Sequence, residues 1–441
     1  MHISLRVKAA VFLNALYFFA YFVLLIWVNN NYVYQLYDYM GASFKVVDGY
    51  LLIYLSVLAM VSSVLCGSII RKPGDIVVVM LFLIIVPHAL VLNGANRFFP
   101  GASPFSGLCL SVFIGVLLIA LINKINFSER DDDGSVRSHY LLIVSWLNIA
   151  VLMFIVLKSI SYFSMDFSEQ YVRRSIARDI FSSGSMSGYI ASIGTQAFFP
   201  VLFAWGVYKK SKYFILLGVI NCVVLWGAFG QKYPFLVLAI VYVMMTYFRH
   251  YGKVNVSWLL FGVLGFLTLG ALESEFLGYS YLNDYLLRRI YVVPSTMLGA
   301  AELFFHEFGF NNYADTAIGL LWGADKSETI TFRIGNFIYN NPETNANINF
   351  LALAYLRYGY LAVVVEAFIV SFIILLLNFL YVRRSIFIAM PVALLLVTKI
   401  VEQSLPTVML GSGLFLMLAL LVLMSISRDR SKTISGTHNE K

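Results

Sequence analysis

AAVFLNALYFFAYFVLLIWV, residues 9–28, decides the class of this chain. As one α-helix, its 20 residues span about 30 Å, the thickness of a bilayer's hydrocarbon core. Arg6 and Lys8 precede it; Asn29, Asn30 and Asn31 follow, with no small-residue cleavage site. The segment is therefore expected to stay as a first membrane span and not to be removed as a signal peptide. Eleven further apolar runs lie beyond it: 50–70, 76–92, 106–123, 141–162, 189–208, 213–229, 234–248, 257–272, 361–382, 385–403 and 407–427. The whole chain of 441 residues is 60% hydrophobic and 12% charged, against about 25% charged in soluble domains. Mean hydropathy is +0.81. The expectation is an all-α polytopic membrane protein of about twelve helices, or fourteen if the longest loop hides a hairpin of spans.

Charge sets the expected orientation. Arg6/Lys8, Arg71/Lys72, Lys124/Arg130/Arg137, Lys209/Lys210/Lys212, Arg249/Lys253, Arg383/Arg384 and Arg428/Arg430/Lys432/Lys441 fall in short segments on one side. They are more than half of the 31 basic residues. The positive-inside rule makes that side, with both termini, cytoplasmic. The net charge of +8 follows from this bias and implies no nucleic acid. Cys66, Cys109 and Cys222 all sit in apolar runs without a CxxC, which argues against a disulfide or zinc site.

The expected organisation is helices 1–5 over residues 1–162, an outside loop at 163–188 and helices 6–9 over 189–272. A larger outside loop at 273–357, helices 10–12 over 358–427 and a tail at 428–441 complete it. A loop as long as 273–357 is seldom kept without a role. Its aromatic content (Tyr279, Tyr281, Tyr285, Phe304, Phe305, Trp322) implies short amphipathic helices on the membrane.

Each outside loop carries an arginine pair: Arg173-Arg174 and Arg288-Arg289. After ten intervening residues, the first arginine of each is followed by a glycine, Gly184 and Gly299. Glycine is common enough for such a spacing to arise by chance, so the pairing and the long loops carry the weight. Guanidinium forks bind oxyanions bidentately, and the phosphates met beyond the bilayer belong to lipid head groups and lipid-linked sugars. In the first loop Val172, Ile176 and Ile180 form an apolar stripe, and Arg174 and Arg178 share another face. Asp166, Glu169 and Asp179 offer the competing reading of a self-paired salt-bridge network. In the second loop Asp284 stands one turn before Arg288 and is expected to pair with it. Acids outnumber bases across 273–357, so the arginines there are a local feature. The third pair, Arg383-Arg384, is a topology signal, with Leu394 where the glycine would be.

On these residues the chain resembles the Wzy-type O-antigen polymerases, which join lipid-linked repeat units of bacterial surface polysaccharide. WVNNNYVYQLYDYMG (27–41), LVLNGANRF (90–98), GTQAFFPVLFAWGVY (194–208), LWGAFGQKYPF (225–235) and LNDYLLRRIYVVPST (282–296) are similar to the pseudomonad type. The resemblance implies a GT-C-like glycosyltransferase of the bacterial inner membrane that needs no metal or other cofactor. Growing glycan would pass from undecaprenyl diphosphate to the terminal sugar of a second lipid-linked unit at the periplasmic face. Donor, acceptor, membrane lipids and a chain-length regulator are the implied partners. Arg288 and Arg289 would stabilise the leaving diphosphate; Arg173, Arg174, Arg178, Gly184 and Gly299 would bind substrate. His306 is the one histidine of the outside loops and a candidate base beside Glu273, Glu275, Glu302, Glu307 and Asp315.

Lys232, in a tight turn between spans, is either a snorkelling anchor or a phosphate contact. Arg333, Arg357 and the asparagine-rich 340–349, Asn347 included, offer donors and acceptors to sugar hydroxyls. Lys399 and Glu402 are expected to pair inside the bundle, and His88, beside Pro87, to be hydrogen-bonded within a span. Asp131-Asp132-Asp133 reads as a solvated charge run in a loop too short for a nucleotide-binding domain. Two rivals remain. An O-antigen ligase is disfavoured because Asn345–Leu351 lacks the histidine such ligases carry there. A lipid-linked oligosaccharide flippase or transporter would keep its charges at the bilayer midplane.

Overall fold

The computed structural model describes residues 5–93, 98, 104–128, 139–182, 185–316, 319 and 327–426. Gly184, Asp131-Asp132-Asp133, Trp322 and the basic tail lie outside the described residues. The chain divides into two compact units. One comprises Met1–Asn126, Lys253–Leu375 and Val397–Leu405; the other Phe127–Gly252, Leu376–Leu396 and Pro406–Lys441.

In the first unit, α1 (Leu5–Val28) packs between α2 (Gly49–Cys66) and α10 (Val256–Leu277). The helix α3 (Pro73–Val86) is buried on nearly every side and runs beside α4 (Gly107–Ile122). Several polar groups inside these apolar helices are paired, which a medium without water favours. Tyr21 donates to Leu83 O at 2.6 Å, Asn14 to Gly67 O at 3.1 Å, and Ser257 to Asn14 Oδ1 at 2.7 Å. The long loop holds α11 (Asn283–Val292), α12 (Val293–Phe308) and α13 (Ile330–Tyr339). Next comes α14, Phe350–Arg384, which breaks at Gly359, where φ is +65° and only glycine is unstrained.

The second unit is built from α5 (His139–Ser159), α6 (Gln170–Ile180), α7 (Met186–Lys209), α8 (Lys212–Phe229), α9 (Tyr233–Tyr251) and α16 (Leu414–Ile426). Glycines let α7 and α8 approach closely: a Cβ on Gly218 would lie 2.5 Å from the Phe203 ring. Ile155, Ala177, Ala191, Leu225, Ala228 and Phe229 form a buried core.

Nine helices among the described residues are long and apolar enough to cross a membrane. The other three expected runs give shorter helices: α4 with 16 residues, α15 (Ala389–Ile400) with 12 and α16 with 13. Local breaks shorten them. Ser106 caps the start of α4 by accepting from Cys109 N at 3.3 Å; Ser385 (φ +51°) precedes α15; Gly413 (φ +69°) precedes α16. The described part of 273–357 contains no helix of spanning length. Large apolar side chains stand exposed around the helices, among them Trp146 (68%), Trp258 (68%) and Phe372 (69%). That is the surface of a protein solvated by lipid and not by water. Among the described residues a two-stranded pairing departs from the all-helical fold: Ile69–Ile70 pairs antiparallel with Val254–Asn255.

Wide helical turns with i→i+5 bonds recur at Asn29–Val33, Pro87–Val91, Gly194–Phe198, Asn283–Val292 and Thr407–Gly411. Such turns re-aim side chains and often accompany functional sites. His88 ties two of them together: its Nε2 lies 2.6 Å from Ile290 O, and its own carbonyl accepts from Ser295 at 3.0 Å.

Gly230 (φ +60°) and Gly252 (φ +66°) both end helices in the left-handed region, but only at Gly230 would a Cβ meet backbone, Gln170 O at 2.6 Å. In detergent, Gly230→Ala should lower the melting temperature clearly more than Gly252→Ala. The latter carries only the left-handed strain of about 1–2 kcal/mol. Equal shifts would mean that α6 is not held against the end of α8.

Candidate functional site

Each arginine pair is split by its helix. In the second unit, Arg173 turns inward and is 1% exposed. Its Nη1 donates to Asp166 O at 2.6 Å, Glu169 lies 3.9 Å away one turn earlier, and its Cζ stands 5.4 Å from the Trp226 ring. Phe167 stacks on Trp226 at 5.5 Å, and Lys232 Nζ lies 4.4 Å from Phe167. Arg173 Nε and Nη2 have no hydrogen-bond partner among the described residues. A buried guanidinium with two idle donors is an unfilled oxyanion site or a costly defect. Arg174 and Arg178 are exposed, Arg174 lying over Tyr171 at 5.8 Å.

Within this helix Gln170, Arg173 and Ala177 are the buried residues; of the apolar stripe Val172 is 60% exposed, and Ile176 and Ile180 are half-buried.

In the first unit Arg288 repeats the pattern. Its Nε donates to Asp284 Oδ1 at 2.9 Å, one turn earlier, and its Cζ lies 4.3 Å from the Tyr37 ring. Tyr37 also donates to Asp284 Oδ1, and Tyr279 to Oδ2 at 2.7 Å. Burial pushes the Asp284 carboxyl up, but the Tyr37 and Tyr279 hydroxyls and Arg288 outweigh it, and its pKa falls below the ordinary carboxylate value. Arg289 is exposed, in the electrostatic reach of Glu402, which also senses Lys399. Beside Asp284 opens a pocket of about 430 Å³. Trp27, Tyr32, Tyr37 and Tyr279 supply its rings, Asn31, Gln35 and Asn283 its amides, and Glu275 a carboxylate.

Glu302 is the candidate base whose surroundings differ most. It is 4% exposed, its Oε2 has no partner among the described residues, and burial raises its pKa against the opposing pull of Ser106 and His306. His306 is exposed, one turn further along α12. Lys45, which donates to Val91 O, is pushed down to about 8, chiefly by burial. Glu273 is occupied by Ser280 Oγ at 2.6 Å and Leu282 N at 3.0 Å. Asp315 is fully taken: Arg357 clasps it through Nε at 3.1 Å and Nη2 at 2.8 Å, with side chains 0% and 2% exposed. Asn311 adds a bond to Asp315 at 2.9 Å and accepts one from Arg333 at 2.7 Å. Arg357 and Arg333 thus brace the loop.

Gly299 is buried inside α12 as a packing residue, away from the end of any helix. Of the asparagines, Asn349 caps α14 through Ala352 N at 3.0 Å, Asn340 takes a left-handed conformation after α13, and Asn347 stays exposed. Sequence reading missed Glu366, a buried acid within the α14 span that accepts from Tyr313 at 3.4 Å and has Oε2 without a partner among the described residues. The signal was present: a lone carboxylate inside LAVVVEAFIV. Fold and site define a helical membrane protein in which an arginine of each conspicuous pair lies over an aromatic ring with an acid one helical turn before it. No family model, curated protein or solved structure matches the chain.

Removing one partner from the Asp315–Arg357 pair strands a buried charge, costing about 3–5 kcal/mol. Arg357→Met should therefore lose folded protein in detergent, and Arg357→Met with Asp315→Leu should recover part of it; no recovery would contradict the pairing. For Asp284 the folded pKa lies below the unfolded one. Its stabilisation is complete above the ordinary carboxylate range and is lost as pH falls through that lowered value. Asp284→Asn should flatten the acid side of the stability–pH curve; an unchanged curve would deny Asp284 that part.

Proposed function

We propose that the chain is a Wzy-type polymerase, a membrane glycosyltransferase acting on undecaprenyl-diphosphate-linked oligosaccharides. The observation that carries this reading is the repeated arginine centre, above all Arg173 with two idle donors in a buried setting. Phosphate oxygens answer that geometry, and the aromatic, amide-lined pocket beside Arg288 suits a sugar, whose ring has an apolar C–H face and a rim of hydroxyls. In this reading the three short apolar helices complete twelve spans of the inner membrane, with both termini cytoplasmic and the arginine loops periplasmic.

The reaction needs no redox change. The acceptor's terminal hydroxyl oxygen attacks the anomeric carbon of the donor glycan. The bond from that carbon to the diphosphate oxygen breaks, and undecaprenyl diphosphate leaves with the electron pair. The hydroxyl proton passes to a base, which we assign to Glu302, with His306 one turn away to share the charge. Arginine forks stabilise the diphosphate as charge builds on it, more strongly in the transition state than before it. A transporter of the same lipid-linked substrate is the second reading, favoured by Glu366, an ionisable group within a span.

The test is surface glycan banding in cells lacking the chain, complemented with variants. Wild type should restore a ladder. Arg288→Lys keeps charge but lacks the fork, and Glu302→Gln removes the base; both should leave single repeat units while the protein is present in the membrane. General-base loss is expected to lower elongation by about 10²–10⁴-fold. A full ladder from Glu302→Gln would exclude it as the base. Loss of every attached repeat in the absence of the chain would favour the transporter.

A further inference from the structure

A second charged site lies in the second unit, apart from the arginine centres. Two crevices, of about 390 and 480 Å³, share Lys210, Met245 and Arg249. The first adds Lys209, the second His250, and among the described residues no carboxylate lines either. The cations stand at the ends of α7 and α9, where helix carbonyls already favour positive side chains. Dipole compensation explains one cation per helix end but not this cluster or its setting.

Two features prepare the cluster for an anion. Lys210 is left-handed, φ +55°, which turns it off the axis of α7. Arg249, on α9, donates through Nη1 to Tyr208 O of α7 at 2.9 Å, so one nitrogen ties down a guanidinium that bridges the two helices. The walls are apolar and aromatic: Tyr208 stacks on Phe387 at 5.2 Å in the first crevice, and Ile215 lines the second. Cations at the rim with apolar walls match an amphiphile better than a free ion.

We propose that this double crevice binds the head group of an anionic phospholipid, its phosphate between Lys210 and Arg249 and its acyl chains along the apolar walls. Basic pockets between membrane helices are suited to such head groups. The site is independent of the proposed polymerase reaction.

The test is native mass spectrometry of the whole chain in detergent, with equal phosphatidylglycerol and phosphatidylcholine. Phosphatidylglycerol should be retained about tenfold over phosphatidylcholine, and Lys210→Ala and Arg249→Ala should each lower that ratio about fivefold. Thr246→Trp keeps every charge but fills the second crevice at an exposed position, and should also lower the ratio. Lys212→Ala removes a nearby exposed charge that lines neither crevice and should leave the ratio unchanged. An equal loss with Lys212→Ala would overturn the proposal in favour of general surface attraction. Displacement of the lipid by millimolar inorganic phosphate would overturn it in favour of a free-anion site.

Discussion

A guanidinium seated on an aromatic ring, with an acid one helical turn before it, is the interaction on which both loops depend. Glu169, Arg173 and Trp226 make it in one unit; Asp284, Arg288 and Tyr37 make it in the other. A cation this close to apolar helices needs compensation, and ring quadrupole and carboxylate supply it without filling every donor. Of each pair, one arginine is fixed inward and its neighbour is left exposed.

The two centres are not equivalent. Asp284 collects three donors, so Arg288 is largely neutralised and its surroundings become a polar, aromatic pocket. Glu169 is exposed and lies 3.9 Å from Arg173, whose Nε and Nη2 have no partner among the described residues.

Much of the helical plan was legible in sequence because hydrocarbon thickness imposes a length and a composition. All twelve apolar runs became helices, and the break at Gly359 falls just before the run at 361–382. Three runs overstated their helices because Ser106, Ser385 and Gly413 act through caps and positive φ, which hydropathy does not see. The inward face of α6 was not legible: the pattern groups Val172, Ile176 and Ile180, yet Gln170, Arg173 and Ala177 are the buried residues. The acid-x-x-x-Arg-Arg pattern was readable in both loops. Its aromatic seats were not: Trp226 and Tyr37 lie far along the chain, and a single sequence does not reveal such pairings. Glu302 was one candidate among several until its neighbours were known.

The most direct measurement is reconstitution of the purified chain in vesicles with a synthetic undecaprenyl-diphosphate-linked repeat unit, comparing wild type with Arg173→Lys. The account predicts one undecaprenyl diphosphate released for each glycosidic bond formed, and loss of both products together in Arg173→Lys, since an ammonium cannot present the fork that the buried site leaves idle. Lipid-linked units crossing the bilayer with no bond formed, or full elongation by Arg173→Lys, would contradict it.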